Sequence, residues 1–450
     1  MDRPRLDELA RYDREHFWHP FTQMAEYEPL IIERAQGCTL YDVDGRSYLD
    51  GVASLWCNVH GHRHPQLDAA LRAQLDRVAH TTALGASNVP AIELARRLAE
   101  IAPAGLTHTF FSDSGATAVE VALKLAFQYW RQRSDPRPEK TCYVALGDAY
   151  HGDTLGAVSV GGVARFHAMF EPLLFETLRL PSPQIYRSPA GVSADEACAH
   201  YLAQAEELLS REHRRIAALV VEPLMQCAAG MIAHPAGYLR GLRELTRRYD
   251  VLLIADEVAV GFGRTGRMFA CEHEQVVPDL LCLGKGITGG YLPLAATLAG
   301  DEIWQAFLGR YEESRQFYHG HTYCGNPLGA AVALASLDVF RDERVIENLP
   351  AKAARLREHC SRLAEHSHVG DVRGFGLAWG IELVRDKATR QAYDWSERRG
   401  QLACLEARKQ GVLLRPLGNV LVVFPPLAIA LDEIDCIMAA VERGIDAATR

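Results

Sequence analysis

The 450-residue sequence lacks the features that mark nucleic-acid-binding and membrane proteins. It has no basic tract, and its 48 Lys and Arg against 57 Asp and Glu give a formal charge of −9. An acidic balance of this kind argues against nucleic acid as the main partner. Its most apolar runs, such as residues 251–255 and 292–299, are far shorter than the roughly 20 residues of a membrane span. The sequence therefore predicts small-molecule partners, with no nucleic acid and no membrane.

Paired cysteines and an apolar leader are also missing. The 11 cysteines are scattered, odd in number and never arranged as C-x-x-C, so neither a zinc site nor a disulfide framework is predicted. Residues 1–8 carry charges where a secretory signal would need an apolar stretch. Both features predict a protein of the reducing cytoplasm.

What the sequence does contain is a series of short apolar runs separated by helical patterns. Continuous apolar runs are typical of strands that are buried on both faces of a mainly parallel sheet. The spacing between them leaves room for crossover helices, which predicts a doubly wound α/β core. The predicted strands are residues 109–111, 141–145, 217–221, 251–255, 280–283 and 294–298.

The two ends of the chain show a different pattern. Residues 30–32 and 47–49 predict two short strands around the turn at Asp44 and Gly45. After a helix at 328–339, strands at 377–384, 412–415 and 420–424 alternate with helices. We therefore expect a large domain at 65–335 and a smaller α+β domain at 336–450, to which the N-terminal segment 1–64 contributes.

Small residues follow the first predicted strand of the large domain. Ser114, Gly115 and Ala116 open a helix that continues through Val119, Leu123 and Ala126. A helix start built from small residues lets backbone N–H groups approach a phosphate, which the helix dipole favours. A Ser-Gly pair at such a point is also an ordinary helix cap. This motif alone leaves both interpretations open.

Two further strands end in charged residues. Asp256 ends one apolar run, where an acid can hold a cation, a metal or a protonated ring nitrogen, or can simply cap the next turn. Lys285 follows another run between Gly284 and Gly286, where it is either a nucleophile or a surface residue. A nucleotide-binding P-loop is excluded, because Asp279 stands where that motif needs glycine. No G-x-G-x-x-G follows a first strand, so a dinucleotide cofactor lacks support as well.

The three strand ends together describe one kind of site. A phosphate on the helix start at Ser114, a pyridinium nitrogen on Asp256 and a covalent bond to Lys285 are what a pyridoxal phosphate site requires. The combination is far more specific than any of its parts. The sequence therefore predicts pyridoxal 5'-phosphate as the cofactor.

Five motifs resemble the signatures of class III, or ω-amino, aminotransferases, over nearly the whole chain. This resemblance implies the PLP-dependent transferase fold of type I and a transamination reaction. The motifs are residues 114–116 (SGA), 150–152 (YHG), 256–258 (DEV), 261–266 (GFGRTG) and 284–286 (GKG).

The resemblance implies roles for residues that bind the cofactor. Lys285 matches the Schiff-base lysine and Asp256 the acid that pairs with the pyridine nitrogen. Ser114, Gly115 and Ala116 match the phosphate loop, and Tyr150 the aromatic residue over the cofactor ring. Thr322 matches a phosphate ligand that the neighbouring subunit supplies in this family, which implies a homodimer with shared active sites.

The resemblance also implies a substrate pocket. Arg415 matches the arginine that binds the substrate carboxylate, a task suited to a bidentate guanidinium. Trp56, Phe21, Tyr150 and Gly320 fall where the family lines this pocket, although Trp56 and Phe21 also fit an ordinary core.

Four longer motifs resemble one branch of the class, whose members aminate 8-amino-7-oxononanoate to 7,8-diaminononanoate in biotin synthesis. The motifs are residues 18–23 (WHPFTQ), 56–61 (WCNVHG), 150–154 (YHGDT) and 317–322 (FYHGHT). Phe21 and Leu55 replace a Tyr and a Trp common in members that use S-adenosylmethionine, so the donor is either S-adenosylmethionine or lysine. Another class III ω-amino-acid or diamine transaminase, an aminomutase and a non-catalytic scaffold are the alternatives.

Two remaining features carry weaker signals. The histidines at 60, 62, 64, 319 and 321 lack a conventional ligand spacing or an accompanying carboxylate triad, so no metal site is predicted. Glu222 ends another apolar run, where it either supports the cofactor site or serves as a structural carboxylate.

Overall fold

The computed structural model describes residues 3–450, and its centre is a sheet of seven strands. The strand at 177–180, a run of only four residues, was not predicted from the sequence. The other six overlap the predicted apolar runs, although the strands predicted from residues 141, 251 and 294 each begin one residue later. In spatial order the strands are Leu106–Ser112, Ala295–Gly300, Leu280–Leu283, Leu252–Asp256, Ile216–Val221, Cys142–Leu146 and Thr177–Leu180.

This sheet is mainly parallel, as predicted. Ala295–Gly300 is antiparallel to both of its neighbours, and the other strand pairs are parallel. Six strands therefore point the same way and bring their carboxyl ends to one edge of the sheet. Functional groups of α/β proteins gather at this edge.

Helices cover both faces of the central sheet and enclose two hydrophobic cores. Leu219 and Leu253 pack on one side, and Ala218 and Ile254 on the other, so these strands are buried on both faces. The α-helices are Arg3–His16, Pro65–Leu75, Val89–Ile101, Gly115–Gln132, Leu155–Val160, Ala164–His167, Ala197–Glu212, Tyr238–Arg248, Asp301–Ala306, Pro327–Asp342, Val345–Leu363, Arg399–Lys409 and Leu431–Thr449.

A second sheet joins the two ends of the chain. Its strands are Ile32–Gln36, Thr39–Asp42, Ser47–Asp50 and Val412–Leu413, the last of which is parallel to its neighbour. The expected pairing of residues 30–32 with 47–49 is wrong. The chain makes an extra reversal at Gly37, where φ is +56°, so Thr39–Asp42 takes that place across the Asp44-Gly45 turn.

A third sheet is formed by C-terminal residues alone. Its strands are Val369–Phe375, Ala378–Asp386, Val420–Val423 and Arg415–Leu417, with Gln391–Ala392 paired to Ala378–Asp386. Met225–Gln226 and Ile232–Ala233 form a separate two-stranded sheet. The division at residue 335 stays a prediction, and that residue lies within the continuous helix Pro327–Asp342. Across residues 3–450, no helix combines the length and apolar character needed to cross a membrane.

Candidate active site

Three neighbouring parallel strands bring charged side chains to the same edge of the central sheet. Asp256 is the last residue of its strand, Glu222 directly follows Ile216–Val221, and Lys285 lies two residues after Leu280–Leu283. The structure thus brings together the acid and the amine that the sequence predicted. It adds Glu222, for which the sequence left two roles open.

Asp256 is buried and is held by two hydrogen bonds. Its Oδ2 lies 2.7 Å from His151 Nδ1, and its Oδ1 accepts from the Val258 N–H at 3.0 Å. His151 is also buried, and its Nε2 has no hydrogen-bond partner within the described chain. The sequence motif contained His151, but the pattern gave this residue no role. Its contact with Asp256 joins a loop to a strand end that lies 105 positions further along the sequence.

Glu222 is buried beside this pair and accepts two backbone hydrogen bonds. The Tyr150 N–H donates at 3.1 Å and the Cys227 N–H at 3.0 Å. Burial raises the pKa of the Glu222 carboxyl to about 7, against the opposing effect of the nearby His151. The Glu222 carboxyl therefore connects the loop that carries Tyr150 to the end of the strand Ile216–Val221.

Glycines allow the loops of the site to pack without room for a side chain. A Cβ at Gly115 would overlap Val258 Cγ1, and a Cβ at Gly152, where φ is +118°, would overlap Ala116 Cβ. A Cβ at Gly284 would lie 3.4 Å from Gly115 Cα. The helix start at Gly115 is thus in direct contact with two loops, the one that follows Asp256 and the one that precedes Lys285.

The helix start at Ser114 has the geometry predicted for an anion site. Ser114 is the N-cap of the helix Gly115–Gln132, and its Oγ accepts from the Thr117 N–H at 3.4 Å. The first N–H groups of a helix have no partner within it, and an 18-residue helix presents the positive end of its dipole there. Capping and anion binding are therefore compatible at this point.

Lys285 stands in a constrained loop beside Trp56. Its φ is +41°, and the Nζ lies 5.3 Å from the centroid of the Trp56 ring. A Cβ at the following Gly286 would be 3.0 Å from Phe262 Cβ. The amine is therefore carried by a backbone that has little freedom to move.

Trp56 ends a left-handed turn, which the sequence did not predict. Ala53, Ser54, Leu55 and Trp56 have φ values of +47°, +47°, +68° and +69°. L-residues disfavour this region by roughly 1–2 kcal/mol each. None of the four is glycine, so the surrounding structure must stabilise the turn.

A second group that the sequence pattern left without a role is the buried guanidinium of Arg264. It donates to the carbonyl oxygens of Pro425 at 2.6 Å and Leu377 at 3.3 Å, and its Cζ lies 3.9 Å from the Phe424 ring centroid. Phe424 stacks in turn on Trp56, with centroids 5.4 Å apart. Burial lowers the pKa of Arg264 to about 9. The stack connects the end of the strand Val420–Val423 to Trp56, which lies beside Lys285.

The rings of Tyr150, Phe166 and Phe21 form a group of neighbouring aromatic side chains. The Tyr150 hydroxyl donates to Asp153 Oδ2 at 2.7 Å, and burial raises the pKa of this phenol above its ordinary value. The Phe166 ring lies 6.2 Å from that of Tyr150 and 5.2 Å from that of Phe21. Arg415 Cζ is 6.0 Å from the Phe21 ring. The structure therefore places Tyr150, Phe21 and Arg415 around one space, with Phe166 as an unpredicted neighbour.

Burial distinguishes Arg415 from an ordinary surface arginine. It begins the strand Arg415–Leu417, whose residues pair with Val420–Val423. Burial lowers the pKa of its guanidinium, and Tyr150 is the group that opposes this effect. A partly desolvated guanidinium is well suited to pair with a carboxylate.

Gly320 and Thr322 lie on an exposed loop rather than inside the chain's own pocket. His321, between them, has its Nδ1 2.8 Å from Asp113 Oδ2, one residue before Ser114. The His321 N–H donates to Cys324 Sγ at 3.1 Å. The loop is therefore fixed close to the helix start, with Thr322 facing outward.

Comparisons with known proteins agree with this geometry. Residues 22–445 match the aminotransferase class-III family. The adenosylmethionine-8-amino-7-oxononanoate aminotransferase of Geobacter sulfurreducens is 53% identical over 98% of both chains, and that of Aquifex aeolicus is 52% identical over 97% of both.

Solved structures show the same architecture. The crystal structure of the Methanocaldococcus jannaschii adenosylmethionine-8-amino-7-oxononanoate aminotransferase has a TM-score of 0.93 at 43% identity, covering 98% of this chain and 99% of that one. An amine transaminase from an uncultivated Pseudomonas species, in a PLP-bound form, has a TM-score of 0.91 at 39% identity, covering 96% and 98%. The chain therefore belongs to the class III aminotransferases and is a PLP-dependent enzyme of fold type I.

Proposed function

We propose that the enzyme transfers an amino group to 8-amino-7-oxononanoate, giving 7,8-diaminononanoate in biotin synthesis. The observation that carries this proposal is the match over 98% of both chains to a relative named for that reaction. The position of Arg415 beside Phe21 and Tyr150 supports it, because the acceptor ends in a carboxylate.

The residues present fit pyridoxal phosphate. When bound, this cofactor supplies an aldehyde that condenses with amines and a protonated ring that takes up electrons. The N–H groups at Gly115 and Ala116 would hold the phosphate, Asp256 the ring nitrogen and Lys285 the aldehyde carbon. Gly115 and Gly152 leave no room for a side chain at this cradle, which supports the assignment.

Asp256 has the surroundings that its proposed role requires. A carboxyl that pairs with a pyridine nitrogen must be held in one orientation, and His151 Nδ1 and the Val258 N–H each hold one oxygen of Asp256. We assign His151 to this task as a positioning residue. Tyr150 would lie over the cofactor ring, since Glu222 holds its backbone N–H and Asp153 its hydroxyl.

Lys285 is the residue proposed to move the proton. Its Nζ would take the proton from the amine-bearing carbon of the donor and pass it to the cofactor in one half-reaction. In the other it would carry a proton from the cofactor to the former carbonyl carbon of the acceptor. The constrained loop and Trp56 limit the positions that this amine can reach. Arg415 holds the acceptor carboxylate, and Trp56 and Phe21 line the substrate pocket of the same subunit. Gly320 lies on the exposed loop of Thr322 and would line the pocket of the neighbouring subunit.

We further propose a cytoplasmic homodimer in which Thr322 binds the cofactor phosphate of the neighbouring subunit. Exposed large side chains on this loop and at Leu84 support the proposal, because exposed apolar patches are typical of interfaces. Tyr318 is 71% exposed, Tyr323 is 61% exposed and Leu84 is 90% exposed.

The amino donor is either S-adenosylmethionine or lysine. The relatives are named for adenosylmethionine, whereas Phe21 replaces a tyrosine common in members that use this donor and so favours lysine. A second candidate function is that of a different ω-transaminase, because this chain is 39% identical to an amine transaminase over 98% of that protein's length.

One experiment separates these possibilities. The cofactor-loaded enzyme is mixed with S-adenosylmethionine or with lysine, and the visible absorbance of the cofactor is followed before and after 8-amino-7-oxononanoate is added.

If one donor removes the absorbance and the acceptor restores it, both donor and reaction are established. If neither donor acts but other amines do, the biotin-pathway proposal is wrong and the ω-transaminase alternative stands.

A further inference from the structure

The left-handed turn Ala53–Trp56 is the most strained part of the site. Its backbone forms hydrogen bonds between residues four apart, as a helix does, but its φ values are positive and it winds in the left-handed sense. The Trp56 N–H donates to the Val52 oxygen at 2.8 Å and the Cys57 N–H to the Ala53 oxygen at 3.0 Å. Ser54 has ψ +48° and Leu55 has ψ +56°, which are the values of a left-handed helix. Four successive L-residues of this kind need stabilisation from outside the turn.

One buried carboxylate provides that stabilisation. Asp50 Oδ1 accepts from the Val52 N–H at 3.3 Å and the Ser54 N–H at 3.0 Å, and its Oδ2 accepts from Ser54 Oγ at 2.8 Å. His62 Nε2 lies 3.0 Å from the same Oδ2. The Asp50 side chain is fully buried, and its backbone N–H donates to the Cys38 oxygen at 2.8 Å.

The segment that directly follows the turn, residues 58 and 59, is in contact with the end of the loop that carries Lys285. The Val59 N–H donates to the Gly289 oxygen at 3.3 Å. A Cβ at Gly290, where φ is +89°, would lie 2.8 Å from Asn58 Cα, so the two segments touch backbone to backbone. The turn therefore meets the Lys285 loop at two places, through the Trp56 ring beside the amine and through residues 58 and 59.

We propose that Asp50 and His62 are positioning residues of the active site. The pair holds the turn in its left-handed form and thereby sets the place of Trp56 beside the Lys285 amine. This inference rests on the proposed function of Lys285. Neither Asp50 nor His62 touches the substrate space through the contacts described, so both act through the turn.

Asp42 offers a matched control. It is a buried carboxylate in the same sheet, and it likewise accepts two backbone N–H groups, from Asp44 at 3.0 Å and Arg46 at 2.9 Å, and one hydroxyl, from Tyr48 at 2.8 Å. The turn that it holds contains no site residue. Asp42→Asn therefore measures the loss of stability alone.

The test compares Asp50→Asn and Asp42→Asn in the cofactor-loaded enzyme. If the amide oxygen keeps the two backbone N–H groups, the NH2 group of Asp50→Asn stands where Oδ2 accepted from Ser54 Oγ and met His62 Nε2, so neither of those bonds is kept as it was and the turn is loosened. We expect the acceptor KM to rise about 10-fold to 100-fold, a range typical of small misplacements in a site. We also expect a shift in the pH midpoint of the cofactor's visible absorbance. Asp42→Asn lowers the melting temperature similarly but leaves both readouts at wild-type values.

Two variants at Ser54 test the strain directly and keep the inference falsifiable if Asp50→Asn does not fold. Both lose the hydroxyl bond to Asp50, but glycine adopts positive φ freely and alanine does not. We expect Ser54→Gly to keep wild-type kinetics and Ser54→Ala to show a raised acceptor KM. Added to Asp50→Asn, Ser54→Gly restores the kinetics.

Two results would overturn the inference: equal kinetics in Asp50→Asn and Asp42→Asn, or equal kinetics in Ser54→Ala and Ser54→Gly. The absorbance titration needs no substrate. If wild-type enzyme fails to turn over 8-amino-7-oxononanoate, the proposed function fails, while the titration still decides the role of Asp50.

Discussion

His151 Nδ1 lies 2.7 Å from Asp256 Oδ2, and both side chains are buried at the carboxyl end of the central sheet. A hydrogen bond is electrostatically stronger inside a protein than in water, so this contact holds the Asp256 carboxyl firmly in place. The proposed pairing of Asp256 with the ring nitrogen of the cofactor requires such a fixed carboxyl.

Removal of the His151 ring is expected to slow catalysis without preventing folding. His151→Ala should lower kcat about 10-fold to 100-fold, as is common when the partner of a site residue is lost. His151→Asn should lose less, because its amide N–H can replace the Nδ1 donor to Asp256. Steady-state kinetics and the cofactor absorbance measure the effect. Equal activity in His151→Ala and the wild type would contradict the assignment.

Lys285→Ala is expected to abolish turnover, with a loss of about 10⁴-fold or more, because one change removes both the nucleophile and the proton carrier. Borohydride reduction of the cofactor-loaded wild type should add the cofactor mass to the peptide that contains residue 285. Lys409→Ala is the control, since Lys409 is exposed and pairs only with Glu406 among the contacts seen. Normal activity in Lys285→Ala would contradict the roles proposed for this residue.

Arg415 is expected to govern the binding of the acceptor more than the chemical step. Arg415→Ala should raise the acceptor KM about 10-fold to 100-fold, which corresponds to the loss of a charged hydrogen-bonded pair. Arg415→Lys should fall in between, because an ammonium keeps the charge but not the bidentate geometry. With the methyl ester of the acceptor, wild type and Arg415→Ala should have the same KM. A persistent difference with the ester would assign Arg415 another role.

Gly115 is expected to tolerate no side chain, because a Cβ would overlap Val258 Cγ1. Gly115→Ala should weaken cofactor binding, and Val258→Ala added to it should restore part of the affinity by making room. Gly329→Ala is the control, since its Cβ would make an ordinary 3.5 Å contact with Leu294 Cβ. Equilibrium titration of the apoenzyme with cofactor measures the affinities. Failure of the double variant to recover would show that another neighbour limits this position.

His234 is expected to make the protein sensitive to acid. Burial lowers its pKa to about 3, and neither ring nitrogen has a hydrogen-bond partner within residues 3–450. An unfolded histidine titrates near 6.5, so between about pH 6.5 and pH 3 the unfolded chain binds one more proton than the folded chain. The stability present above pH 6.5 is therefore lost as the pH falls, by at most about 1.4 kcal/mol per pH unit.

His234→Leu should remove this contribution, because leucine fills a similar volume and does not titrate. Urea unfolding at pH 7.5 and at pH 5 should show a smaller loss of unfolding free energy in the variant than in the wild type, with activity unchanged. His16→Gln is the control at an exposed histidine of the first helix. The same pH dependence in His234→Leu and wild type would contradict the prediction.

Much of the central sheet was predictable because its signal is local. Runs such as residues 217–221 and 251–255 are apolar on both faces, and that composition is stable only between two helical layers. Val369–Phe375 was not predictable in the same way, since Gly370, Asp371 and Arg373 interrupt its apolar pattern. Its pairing with Ala378–Asp386 supplies the stability that its own residues lack.

The sequence by itself determined which chemical groups are available and the edge of the sheet to which they come. Asp256 ends one parallel strand and Lys285 follows another, and parallel strands share one carboxyl edge, so both residues come to the same edge of the sheet. The composition of the motifs around them was sufficient to indicate the family.

Only the tertiary structure decided how those groups are held. The His151–Asp256 contact joins residues 105 positions apart, and the left-handed turn before Cys57 contains no glycine to announce it. A backbone conformation that its own residues disfavour exists because Asp50, His62 and the Lys285 loop compensate for its cost. Such compensation is a property of contacts between distant segments, and local sequence patterns do not encode it.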